Sequence, residues 1–183
     1  MQFAGNYYNE LAQKAVYDEE AFDELYEHFF PRVYNFIFAR LKNPDAADDI
    51  VSTTFMKMYE NLERYNPERA AFSTWLFRIA LNTMTDFFRR KEYSNETEWE
   101  EFFDPAAPEY QEPEAKALAE DDKAELLKAI GKLTDKERRI VELKYLSGLG
   151  NKEIAEILGI TANNVGVVLH GALKKLKKIL GEN

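Results

Sequence analysis

The sequence predicts an all-α fold, with two small helical domains joined by a flexible acidic linker, and three observations predict it. Apolar residues recur three and four positions apart in both halves, and no stretch alternates with the two-residue period of a strand. Charge is unevenly spread: residues 1–90 carry 14 acids and 10 bases, 91–122 carry 12 and 2, and 123–183 carry 7 and 12, for net charges of −4, −10 and +5. The middle block also holds three of the six prolines (Pro105, Pro108, Pro113), and its aromatics lack helical spacing, which is the composition of a solvated tether. The expected domains are therefore 1–91, a linker over 92–122, and 123–183. The linker's ends are open to helix, since 114–124 is rich in Ala, Glu and Lys.

In the first domain, Phe22, Leu25, Tyr26, Phe29, Phe30, Val33, Phe36, Ile37 and Leu41 mark one apolar face, with Pro31 expected to kink or divide the helix. Asn43-Pro44 breaks it. Asn43 suits a cap and Pro44 the first helical position, and Asp45, Asp48 and Asp49 then lie where a helix N-terminus favours negative charge. That helix runs to about Leu62, with Ala47, Ile50, Val51, Thr54, Phe55, Met58 and Leu62 inward. A polar loop over 63–71, containing Asn66-Pro67, precedes a helix that starts near Phe72-Ser73 and runs through Trp75, Leu76, Ile79, Ala80, Thr83, Phe87 and Phe88 into Arg89-Arg90-Lys91.

The second domain opens with Leu126, Leu127, Ile130 and Leu133, followed by Thr134-Asp135-Lys136-Glu137, whose Thr and Glu can cap each other's backbone donors. The helix this starts runs to about Ser147 and stops at Gly148. A short helix over 154–158 ends at Gly159, and Thr161 caps another in which Val165, Leu169, Ala172 and Leu176 share one side. Two short helices about a glycine turn, with small Ala155 where their axes cross, outline a helix-turn-helix. Helical pairs of this kind also occur in bundles that bind nothing.

Composition narrows the function classes. At 45% hydrophobic and 14% aromatic, the 183 residues can fill real cores. The uncharged stretch 163–173 contains two Asn, two Gly and a His, so no segment is expected to cross a bilayer core of about 30 Å. The N-terminus lacks the basic flank and apolar run of a secretory signal, and there is no cysteine, so a cytoplasmic setting without disulfides or zinc-thiolate sites is expected. His28 and His170 lie in different domains, and neither a phosphate-cradling glycine loop nor metal-ligand spacing is present. An enzyme is therefore not expected, nor a metal or cofactor. His28 is expected to pack beside Phe29.

Both halves together carry a resemblance. The stretch Asp48-Asp49-Ile50-Val51-Ser52-Thr53-Thr54-Phe55-Met56-Lys57 is similar to the polymerase-binding helix of region 2 in bacterial RNA polymerase sigma factors of the small extracytoplasmic-function (ECF) group, in the sigma-70-type superfamily. The run Phe72-Ser73-Thr74-Trp75-Leu76-Phe77-Arg78-Ile79-Ala80-Leu81-Asn82, continuing through Asp86-Phe87-Phe88-Arg89-Arg90, resembles that family's promoter-melting helix. Leu133 to Leu146, then Lys152-Glu153-Ile154-Ala155-Glu156-Ile157-Leu158-Gly159-Ile160-Thr161, resembles region 4.

The resemblance implies a transcription initiation factor. Region 2 would bind core RNA polymerase and open the minus-10 element of promoter DNA, and region 4 would read the minus-35 element. Asp48, Asp49, Ser52, Phe55 and Lys57 are the implied polymerase-binding residues; the acids could instead serve only the helix dipole, and Phe55 either the core or an anchor. Asn66, Arg69, Trp75, Arg78, Asn82, Asp86, Arg89 and Arg90 are the implied DNA-binding residues of region 2, with Trp75 open to a base platform or to core packing.

In region 4, the family's usual Lys, Ser and Arg after the Val of the recognition helix are replaced by Gly166, Val167 and Val168, and Gly171 and Leu173 flank Ala172 beyond His170. Two readings remain open. In one, Asn163 and Asn164 hydrogen-bond bases and Val167 or Val168 touches a thymine methyl, with His170 on the DNA-binding helix, while Lys174, Lys175, Lys177 and Lys178 hold the backbone. In the other, Val167, Val168 and Leu173 form an apolar surface for a protein such as an anti-sigma factor. A stand-alone transcriptional regulator is the nearest rival class, since its helix-turn-helix would look alike, but it has no need of the 72–90 helix.

Overall fold

The computed structural model describes residues 2–93 and 120–181; the body of the expected linker, 94–119, lies outside them. The chain divides into two compact units, Met1–Ala107 and Pro108–Asn183. Among the described residues all regular structure is helical.

The first unit contains α1 (Gln2–Lys14), α2 (Glu19–Leu41), α3 (Pro44–Asn61) and α4 (Phe72–Tyr93), with a 3-10 turn over Leu62–Arg64. Helix α1 lies outside the elements expected from sequence, yet Leu11 and Ala12 bury one side of its C-terminal half, and Ala15 just beyond its end is buried too. Helix α2 is capped by Asp18, whose carboxylate accepts the Glu20 and Ala21 N–H groups at 3.1 and 3.3 Å.

Pro31 does not divide α2, which runs unbroken from Glu19 to Leu41. A mid-helix proline costs about 3 kcal/mol. Leu25 and Phe29 before it, and Val33, Phe36 and Ile37 after it, all bury in one core, at about 1.5–3 kcal/mol per large side chain. Breaking the helix would withdraw one of those groups.

Asn43 caps α3 as expected, accepting the Ala46 N–H at 2.9 Å with Pro44 in the first turn. The predicted inner face of α3 is buried throughout, from Ala47 to Met58 and on to Leu62. Phe29 meets Phe72 of α4 edge to face at 5.2 Å between centroids, and Phe36 meets Phe77 at 5.7 Å, so aromatic pairs join α2 to α4 while α3 packs against both. His28 lies beside Phe29 and stacks on Tyr8 of α1 at 4.1 Å. Burial, reinforced by Arg32, pushes its pKa down to about 4, which keeps the ring neutral at ordinary pH.

The second unit contains α5 (Glu120–Gly131), α6 (Asp135–Tyr145), α7 (Asn151–Leu158) and α8 (Ala162–Ile179). The expected capping box forms: Thr134 N–H donates to Glu137 Oε2 at 3.0 Å, and Glu137 N–H donates to Thr134 Oγ1 at 3.4 Å. Gly159 ends α7 at φ 66°, a left-handed conformation that glycine adopts without the Cβ penalty. The chain then turns through 104° into α8, which Thr161 caps by accepting the Asn164 N–H at 3.2 Å. That angle and the short turn make α7–α8 a helix-turn-helix. Ala129, Leu133, Val141, Ala172 and Leu176 form the core behind it, with Leu169 and Leu173 packed against them.

Candidate nucleic-acid interface

In the first unit the loop over residues 65–71 is built to hold a shape. Asn66 Oδ1 accepts the Glu68 N–H at 2.8 Å and its carbonyl accepts the Arg69 N–H at 3.1 Å, an Asx-turn that leaves Asn66 and Arg69 exposed. With one lone pair of Oδ1 engaged in the turn, the second and the amide nitrogen remain for a base contact. The base of the loop is aromatic: Tyr65 and Phe72 are buried, and both rings lie against Trp75, at 5.3 and 5.7 Å. Trp75 is half-buried, so its indole supports the loop with one part and presents the remainder to solvent.

That exposed part of Trp75 lines an open groove of about 430 Å³ together with Lys57, Asn61, Arg64, Ile79, Asn82 and Thr83. The groove brings two cations, two amides and an indole together, a set suited to a nucleotide. Lys57 donates to Thr83 Oγ1 at 3.1 Å, which turns its ammonium towards α4. Sequence reasoning grouped Lys57 with the α3 acids, whereas the fold groups it with Trp75 and Asn82. Arg78 is exposed on the same helix. Further along, Asp86 and Arg89 pair at 3.1 Å, with 67% of the Arg89 side chain and 40% of the Asp86 side chain exposed, and Arg90 is exposed beside them.

On α3, Asp48, Asp49 and Ser52 are exposed, while Phe55 is only 6% exposed and packs on Tyr26 at 4.8 Å. Phe55 is thus a core residue in this structure, since its ring is spent on α2 before any partner arrives. Two residues that sequence reasoning missed, Met56 and Tyr59, are exposed at 57% and 66% and fall on a helical stripe with Asp49 and Ser52. Their apolar type in an otherwise polar stripe was the available signal.

In the second unit, Asn163, Val167, His170 and Lys174 recur at spacings of four, three and four residues along α8, and all are exposed. Asn164, also exposed, is held in the first turn by Thr161. Val167 is 64% exposed. One expectation is corrected. Leu173 is partly buried against the core cluster and so does not belong to an apolar surface with Val167. Lys175 reaches back to α6, where its Nζ lies 2.6 Å from Glu137 Oε1. That bond, with two more from Thr134, holds the Glu137 carboxyl at a pKa of about 2.

Sigma-70 region 2 matches residues 25–93 and sigma-70 region 4 matches residues 123–176. The ECF RNA polymerase sigma factor SigW of Bacillus subtilis is 30% identical over 170 residues, covering 89% of this chain and 90% of SigW. The chain belongs to the ECF sigma factors of the sigma-70 family. Another ECF sigma factor, BldN of Streptomyces coelicolor, is 27% identical over 175 residues, covering 95% of this chain and 66% of BldN. The fold of this sigma factor is also similar to that of RpoE solved with the anti-sigma factor NepR from Bartonella quintana, at a TM-score of 0.68 and 20% identity, covering 87% and 96% of the two chains. Its α1 precedes the matched part of region 2. Among its described residues no single helix is long and apolar enough to cross a membrane.

Proposed function

We propose that this sigma factor joins core RNA polymerase in the cytoplasm and directs it to chosen promoters, contributing no catalysis of its own. Residues 1–91 bind the polymerase and open the minus-10 element, 92–122 act as an acidic tether, and 123–183 read the minus-35 element. The observation that carries the reading is the groove where Lys57, Trp75 and Asn82 converge, with Trp75 also packed on Tyr65 at the start of the loop that carries the exposed Asn66 and Arg69. Opening a duplex needs a surface that prefers single strands, and an aromatic face flanked by cations and amides supplies one. The α3 stripe of Asp49, Ser52, Met56 and Tyr59 supports a polymerase contact, since exposed apolar groups ringed by polar ones are the usual anatomy of a protein interface.

For α8, DNA reading is supported by Asn163 and Asn164 in the first turn, suited to paired hydrogen bonds with adenine, and by Val167 at the reach of a thymine methyl. The second reading, a protein-binding α8, is supported by the 64% exposure of Val167 and the scarcity of cations around it. An anti-sigma factor is the partner that reading names, in keeping with the complex of RpoE and NepR. The decisive experiment is reconstitution. Adding the purified chain to core polymerase should confer transcription from a defined promoter set, and transcription no different from core alone would overturn the proposal.

A further inference from the structure

We infer that Asn9 of α1 is a positioning residue for promoter opening, because one side-chain oxygen closes both ends of the loop that carries Asn66 and Arg69. Asn9 Oδ1 accepts the Phe72 N–H at 2.8 Å and lies 2.9 Å from the Tyr65 hydroxyl. Tyr65 opens the seven-residue stretch 65–71 and Phe72 follows it, so a single atom 56 residues away from the first and 63 from the second joins the two.

The local sequence explains why a distant residue is needed. The Ala71 carbonyl accepts the Trp75 N–H at 3.0 Å, which makes Ala71 the cap position of α4. Alanine has no acceptor in its side chain, so the helix lacks the Ser, Thr, Asp or Asn that would ordinarily satisfy a first-turn donor. Asn9 supplies that acceptor from another helix. At the other end, the Tyr65 hydroxyl faces two acceptors, Asn9 Oδ1 and the Ala70 carbonyl at 3.1 Å, and its one proton serves both in turn. Burial pushes the Tyr65 pKa up to about 12, so the hydroxyl stays a donor at any ordinary pH.

A loop closed in this way meets DNA with its shape already set. Ordering a free loop on binding costs conformational entropy, and that cost falls on the step in which an extruded base must be captured. Asn9 therefore acts through Asn66 and Arg69, not on DNA itself.

The inference rests on the proposed melting role of this loop, and the experiment separates the two. Holoenzymes carrying Asn9→Ala, Asn9→Asp, Tyr65→Phe, or the double change Asn66→Ala with Arg69→Ala are compared by permanganate reactivity on a duplex promoter and on one with a mismatched minus-10 bubble. Asn9→Ala should lower duplex opening about tenfold, the cost of one buried unsatisfied donor, and behave near normally on the bubble. Asn9→Asp keeps both hydrogen bonds and should restore opening, while Tyr65→Phe should fall between. Two results overturn the inference while leaving the melting role standing: wild-type opening by Asn9→Ala where the double change is defective, or equal loss on both templates by Asn9→Ala and Asn9→Asp. Wild-type opening by the double change overturns the melting role, and the inference with it.

Discussion

Lys175 of α8 and Glu137 of α6 meet at 2.6 Å, so a lysine that reads from sequence as a phosphate contact is tied to the capping carboxylate of a neighbouring helix. Lys174, one position earlier, is exposed on the face of Asn163, Val167 and His170. Lys174→Ala is expected to lower the counterion-release slope of minus-35 binding by about one unit. Lys175→Ala should leave that slope nearly unchanged while costing about 0.5–1 kcal/mol of stability, the upper part of the range for a pair with 55% of one side chain exposed. Salt titrations of both variants check this, and equal slopes would place Lys175 back on DNA.

Glu137 also links stability to pH. Its folded pKa, about 2, lies below the ordinary 4.5, so its contribution is fully present above about pH 4.5 and is lost as pH falls towards 2. Thermal melts of Glu137→Gln should show a lower Tm at neutral pH and a gap to wild type that narrows between pH 4.5 and 2. A gap constant across that window would show that the carboxylate carries no pH-linked stability.

Arg89 already has a partner in Asp86 at 3.1 Å, which neutralises part of the positive end of α4. Charge reversal at Arg89 and Arg90 is expected to flatten the salt dependence of promoter binding by holoenzyme, and Asp86→Asn to steepen it by releasing Arg89. Slopes unmoved by either change would remove phosphate contact from this helix end.

Val167 separates the two readings of α8. Placing a cation there by Val167→Arg should strengthen minus-35 binding and raise its salt slope by about one unit if this face meets DNA. If the face meets an apolar protein surface instead, DNA binding stays as it was and binding of the inhibitory partner weakens. Parallel titrations with DNA and that partner distinguish the cases.

Gly171 is helical, and a Cβ built there meets nothing within 4 Å. Gly171→Ala should therefore stabilise the second unit by about 0.5–1 kcal/mol through the restricted unfolded chain. A calorimetric or chemical-denaturation series reads this directly, and unchanged or lowered stability would mean that α8 requires the glycine.

Much of this was legible along the chain because the signals are local. The Asn43-Pro44 start of α3, the Thr134–Glu137 capping box and the stops at Gly148 and Gly159 each depend on residues within a few positions of one another, and all form. Helix α1 was not among the elements expected, although Tyr8, Leu11 and Ala12 have helical spacing, because so short an apolar stripe stood apart from any motif. Of the two outcomes expected at Pro31, a kink or a division, division does not occur, because core burial on both sides of the proline opposes it, and that term is not written near position 31.

Amphipathic periods and caps sufficed to set the helices from α2 onward, their order and their inward faces, since a residue's pull towards helix or core depends mainly on its own type and its neighbours three and four places away. Whether Lys57 turns to the groove, Lys175 to Glu137, Phe55 to Tyr26 or Asn9 to the ends of a loop became settled only when helices distant along the chain came side by side. A charge or hydrogen-bonding group is committed by whatever lies within about 3 Å of it, and adjacency of that kind is a property of packing.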